Sequence, residues 1–162
     1  MPDDSFLKSC LEILEEYNAF LVLDCAYKAL WFYDMPKSSS WSPKNHPNLI
    51  LLNSNSKWLS SLGRRLGWVE ADEKIIKGLE KLNESVLLSP DSMHSIATAA
   101  FLEKTLSDKS LKSFIENTRK LYQKTADVMI KSIDKNLGWK RLKPMGGLYT
   151  ICPTPNNREP VS

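Results

Sequence analysis

Hydrophobic positions divide the chain into alternating helical and extended stretches. Phe6, Leu7, Cys10, Leu11, Ile13, Leu14 and Tyr17 recur at helical spacing behind the capping candidates Asp3, Asp4 and Ser5, which predicts a helix over about 4–17. The uninterrupted run from Ala19 to Leu23, closed by Asp24, predicts a strand covered on both faces, the usual state of a parallel sheet. Asn48 to Leu52 repeats that pattern and ends in the polar cluster Asn53-Ser54-Asn55-Ser56-Lys57. Between the two lies a loop rich in Pro, Ser and aromatics over about 26–47, with room for a helical turn between Tyr27 and Tyr33. Arg65 to Glu70 predicts a third strand, Ala71-Asp72-Glu73 opens a helix to about Ser85, and Pro90 starts another that ends near Leu106.

The longest stripe is Leu111, Phe114, Ile115, Leu121, Tyr122, Ala126, Met129, Ile130 and Ile133, with Asp108 as its cap and Gly138 as its stop. It predicts a core-facing helix of about 29 residues, roughly 43 Å long and able to link two lobes. Trp139–Lys143 and Gly147–Cys152 predict two short strands around the turn Pro144-Met145-Gly146, and the tail from Pro153 has no pattern.

At 162 residues and 42% hydrophobic, the chain buries a core without staples. The 22 basic and 19 acidic side chains leave +3, interleaved rather than striped, so nucleic acid is not expected as a partner. No apolar run approaches the roughly 20 residues that cross a bilayer. The N-terminus is acidic where a signal peptide is basic, so no membrane and a cytoplasmic location are expected. Cys10, Cys25 and Cys152 are too widely spaced for a disulfide framework or zinc pattern and read as buried free thiols. His46 and His94 have no ligand-spaced neighbours and read as structural or surface residues.

In open parallel sheets ligands gather at the carboxyl ends of strands. One such end carries Asp24-Cys25-Ala26-Tyr27, the other Ser54-Asn55-Ser56-Lys57 followed by Gly63, Arg64, Arg65, Gly67 and Trp68. Acid, phenol, amine, hydroxyls and guanidinium come together there. The set resembles the class I/II aminotransferases, the fold-type-I enzymes that use pyridoxal phosphate. Their S-x-S-K pattern, with glycine six residues after the lysine, arginine eight after it, and then x-G-W, is matched by Ser54, Ser56, Lys57, Gly63, Arg65, Gly67 and Trp68. Asp24 and Tyr27 match their D-x-x-Y, and Lys143-Pro144-Met145-Gly146-Gly147-Leu148-Tyr149 matches their K-P-x-G-G-F/L-Y.

The resemblance implies an α/β fold. Residues 1–107 would be the C-terminal half of a three-layer α/β/α large domain, and 108–162 the linking helix and the beginning of an α+β small domain. It implies pyridoxal 5'-phosphate as cofactor, with amino acids and 2-oxo acids as substrates. Lys57 would form the Schiff base and move the substrate proton. Asp24 would keep the pyridine nitrogen protonated, and Tyr27 would bond the cofactor's 3' oxygen. Arg65, with Ser54 and Ser56, would hold the phosphate. Asn55 has no role in the pattern.

The family's glycine-containing phosphate loop, its ring-stacking aromatic and its 3'-oxygen asparagine have no counterpart here, nor does its carboxylate-binding arginine, for which Arg158 comes too early. A central-to-C-terminal portion is therefore expected, with impaired activity alone and one sheet edge bare. It would work as a homodimer or with a complementing chain. A fold-type-I lyase or decarboxylase, and a non-catalytic interaction module, are the alternatives that the same residues leave open.

Overall fold

The computed structural model describes residues 4–33, 40–89 and 91–153. Helix α1 spans Asp4–Glu16 and turns inward only Leu7 and Leu11, while Phe6, Ile13 and Tyr17 face solvent. Its expected cap Asp3 lies outside the described residues. Strand β1 covers Leu21–Asp24 and β2 covers Leu49–Ser54, paired in parallel with Leu21 opposite Leu49 and Asp24 opposite Leu52. Strand β3, Gly67–Glu70, runs antiparallel to β2, with Ser54 opposite Gly67, so the strand order is β1-β2-β3. The β2 strand carries two residues further than the apolar run because Asn53 and Ser54 keep pairing with β3. The third strand starts at Gly67 instead of Arg65, because Arg65 adopts the left-handed conformation at φ +53°.

The expectation of strands covered on both faces is overturned. Leu21, Leu23, Leu49 and Leu51 share one face, and Leu49, Leu51 and Cys25 form a small core there with Trp41 against it. Val22, Leu52 and Val69 share the other face and are 54%, 39% and 36% exposed. An apolar run identifies a buried strand only when layers exist on both sides.

Helix α2 is Glu73–Val86, capped by Asp72, whose carboxylate accepts the Lys74 N–H at 2.9 Å. Helix α3 is Ser92–Ser107, capped by Asp91, which accepts from His94 N at 3.1 Å. The expected start at Pro90 lies outside the described residues. Helix α4, Leu111–Asn136, is 26 residues long, about 39 Å. Asp108 does not cap it. That residue ends α3, and its carboxylate takes the Ser110 N–H at 2.9 Å. Gly138, at φ +59°, closes α4 as expected by donating to the Ile133 carbonyl at 3.0 Å. The reading of its stripe as core is also overturned: α4 has no buried residue, although it leans on the 3₁₀ turn at Lys28–Leu30 and on α3 and lines a small cavity with Pro144 and Gly147 to Tyr149.

The two strands expected around Pro144 do not form a ladder. Leu142 donates to the Ile151 carbonyl at 2.9 Å, and the Thr150 hydroxyl donates to the Leu142 carbonyl at 2.6 Å. Gly146 instead forms an antiparallel bridge with Trp31. Of the three thiols, all free, only Cys25 is buried. Among the described residues, no helix is long and apolar enough to cross a membrane.

Candidate active site

The carboxyl end of β1 places Asp24 at the surface, where its Oδ1 accepts the Ala26 N–H at 2.9 Å. That Asx turn swings the chain into the 3₁₀ turn and directs Tyr27 back over the strand end. Oδ2 of Asp24 has no partner among the described residues. Asp24, Tyr27 and Trp31 line one side of a cavity of about 450 Å³, and Lys143 to Ile151 line the other. The two sides are joined by two backbone hydrogen bonds, Phe32 N to Met145 O at 2.9 Å and Gly147 N to Leu30 O at 3.0 Å, which together form the Trp31–Gly146 antiparallel bridge. Gly146 and Gly147, turn residues by sequence, thus serve close approach. A Cβ on Gly146 would lie 2.7 Å from the Leu30 carbonyl oxygen, and one on Gly147 would lie 3.3 Å from Tyr27 Cδ1.

Lys57 follows β2 in a loop whose ends are tied by Asn55 N donating to the Leu66 carbonyl at 3.1 Å. Asn55, only 3% exposed, also accepts from the Ser61 hydroxyl at 3.0 Å and from Leu59 N at 3.2 Å through its carbonyl. It is the hub of the loop that carries both Lys57 and Arg65, a role with no signal in side-chain chemistry because its backbone makes the bonds. Half-buried Lys57 reaches the cavity wall, its Nζ 5.3 Å from the Tyr27 ring centroid.

The structure therefore places Asp24 and Tyr27 on one cavity wall and sets the Lys57 amine over the Tyr27 ring, while Lys57 is not among the residues that line the cavity. It does not bring Arg65 to them. Arg65 is exposed, and its Nη1 makes a long 3.5 Å contact with the Leu62 carbonyl. The nearby carboxylate of Glu70 is engaged by Asn53 Nδ2 at 2.8 Å and Trp68 Nε1 at 3.2 Å. Ser54 Oγ accepts the Ser56 N–H at 3.1 Å, and Ser56 is buried. Ser54 lines a second cavity of about 850 Å³ between the sheet, α3 and α4. Cys25 sits between the two cavities, where burial, the largest influence, pushes its thiol up against the opposing pull of Lys28. Burial of this kind favours the protonated thiol over the thiolate.

Sequence spacing gave no sign of three further contacts. Lys143 Nζ lies 4.8 Å over the Tyr33 ring, Tyr149 meets Tyr27 edge to face with centroids 6.2 Å apart, and His46 stacks near Trp41 at 5.0 Å. The K-P-x-G-G-x-Y element was visible as a motif, but its partner ring was not.

The family model for aminotransferase class I and II matches residues 1–159. The chain belongs to that family. An aspartate aminotransferase of Pyrococcus horikoshii is 29% identical over 92% of this chain and 37% of its own. The substrate-bound structure of BacF from Bacillus subtilis superposes with a TM-score of 0.82 at 26% identity, over 98% of this chain and 39% of that one. LysN, the α-aminoadipate aminotransferase of Thermus thermophilus, solved with N-(5'-phosphopyridoxyl)-L-leucine, shares the fold at a TM-score of 0.78 and 22% identity, over 93% and 38%. The chain thus spans just over a third of the length of these relatives. Members of this family use pyridoxal phosphate.

Proposed function

We propose that this chain is the cofactor-holding portion of a pyridoxal-phosphate-dependent transaminase acting on amino acids and 2-oxo acids. Residues 1–107 would be the C-terminal half of the large domain, and 108–162 the linking helix with the start of the small domain. The observation that carries the reading is the Lys57 amine held over the Tyr27 ring, with Asp24 on the same cavity wall as Tyr27 and one of its oxygens without a partner among the described residues. That donor set fits the cofactor. When bound, pyridoxal phosphate supplies an electrophilic aldehyde and an electron-withdrawing ring.

In this reading Lys57 would hold the cofactor through its amine and would move the proton at the substrate Cα. Asp24 would favour a protonated ring nitrogen, since a nearby carboxylate favours the cationic form. Tyr27 donates to the ring oxygen and stands as a wall beside the Lys57 amine. Arg65, whose guanidinium is unspent on any described carboxylate, would hold the phosphate as a two-pronged donor on turning from its exposed position, with the Ser54 and Ser56 hydroxyls as further donors. The substrate-bound neighbour BacF, a transaminase, and the phosphopyridoxyl ligand of the LysN neighbour support the transaminase reading. The exposed face of the sheet supports a homodimer or a complementing chain. Three free thiols support a reducing, cytoplasmic setting.

The test is to incubate the chain with pyridoxal phosphate, reduce with borohydride and map the adduct by peptide mass. Label at Lys57, lost in Lys57→Ala and kept in Lys44→Ala, is the expected result. Label scattered over many lysines, or equal loss in both variants, overturns the reading.

A further inference from the structure

We propose that the Gly147-Leu148-Tyr149 stretch is a positioning clamp for Tyr27, so that seating of the segment after α4 sets the placement of the Lys57 amine. The inference rests on the reading of Lys57 given above but is carried by contacts within the chain. One ring, that of Tyr27, receives all of them. The Gly147 α-carbon lies so close that an added Cβ would stand 3.3 Å from Cδ1 and 3.8 Å from Cγ. The Tyr149 ring meets it edge to face at 70°. The Lys57 ammonium lies over it at 5.3 Å.

Gly147 is at φ +74°, a conformation that an L side chain adopts only with strain, so the approach and the backbone geometry both ask for glycine. The segment is anchored independently of these rings. Gly147 N bonds Leu30 O and Met145 O accepts from Phe32 N, on either side of the bridge at Gly146. Lys143 over Tyr33 adds a cation–π contact at the same seam. Tyr27 is thus held between a segment distant in sequence and the Lys57 amine. If the segment moves, the ring loses its support and the ammonium loses its platform. Neither Gly147 nor Tyr149 reaches Lys57 directly in these contacts, so their effect runs through Tyr27.

The test needs no cofactor. The chain is treated briefly with acetic anhydride, and acetylation of Lys57 relative to Lys44 is read by peptide mass. Tyr149 is 70% exposed, so Tyr149→Leu can be made without opening a core. Tyr149→Leu and Gly147→Ala should each raise the Lys57-to-Lys44 ratio by about threefold, the scale of one cation–π contact. Tyr149→Phe, which keeps the ring edge, should leave the ratio unchanged. A ratio unmoved in Tyr149→Leu and Gly147→Ala, or moved equally by Tyr149→Phe, overturns the clamp. Circular dichroism on each variant separates this from unfolding, which would also uncover half-buried Lys57 beside the already exposed Lys44. Because the ratio is measured without pyridoxal phosphate, failure of the borohydride labelling sinks the transaminase reading and leaves this result standing.

Discussion

Gly67 and Gly63 belong to the same spaced motif, yet their surroundings differ. A Cβ on Gly67 would lie 2.7 Å from the Asn53 carbonyl oxygen, which is backbone of the paired strand and has little freedom to yield. A Cβ on Gly63 would meet nothing within 4 Å. Gly67→Ala should therefore destabilise the chain by about 1–3 kcal/mol, the usual cost of overpacking. Gly63→Ala should stay within about 0.5 kcal/mol of the parent. Urea midpoints at constant slope read both, and equal shifts would show that the β2–β3 approach does not limit the strand. The motif spacing that singled out Lys57, Arg65 and both glycines is a distance along the chain. Which glycine is required by space, and which basic group actually meets Tyr27, are distances through space set by the loop that Asn55 ties, and no local pattern carries them.

At the scale of elements, periodicity located the four described α-helices to within a few residues because amphipathic spacing and Asp or Gly punctuation are local. What it could not supply was the partner for each stripe. The α4 stripe reads as core, yet none of its residues is buried and Leu121 is more than 60% exposed. The carboxyl end of α4 is held by charge instead. Arg141 grips Asp134 with two hydrogen bonds, Nε to Oδ1 at 2.8 Å and Nη2 to Oδ2 at 2.6 Å. Those bonds, with the guanidinium charge adding to them, hold the Asp134 carboxyl below its ordinary value of 3.8. A carboxyl depressed in the folded state stabilises above its ordinary value, and that contribution is lost as pH falls through the folded value, below 3.8. Asp134→Asn should thus lower the melting temperature at neutral pH by at most about 3 °C, the pair being near the surface. The gap from the parent should close below pH 3.8 and shrink in high salt. A gap that widens in acid would mean that Arg141 stabilises through packing rather than through the ion pair.

For the whole molecule, the sheet has one face built and one bare, with edge strands on both sides. Val22 on β1 and Val69 on β3 both point to the bare face, on either side of Ile50 and Leu52, and the order β1-β2-β3 makes each of them an edge-strand residue. Unpaired backbone on an apolar edge is a template for another chain, and lysine at such an edge is how sheets ordinarily prevent pairing. The net charge of +3 on 162 residues offers little long-range repulsion to oppose contact. The chain should therefore self-associate as concentration rises. The double variant Val22→Lys with Val69→Lys should scatter less light at matched concentration and keep its circular dichroism, because neither side chain belongs to the Leu49–Leu51–Cys25 core. Leu121→Lys on α4 serves as the control: it removes a comparably exposed apolar side chain from a surface with no free strand edge. If that control disperses the chain and the double variant does not, association runs through the α4 stripe and the bare sheet face is not the contact. If only the double variant disperses it, the apolar residues on the bare face of β1 and β3 mark the surface on which a covering layer binds.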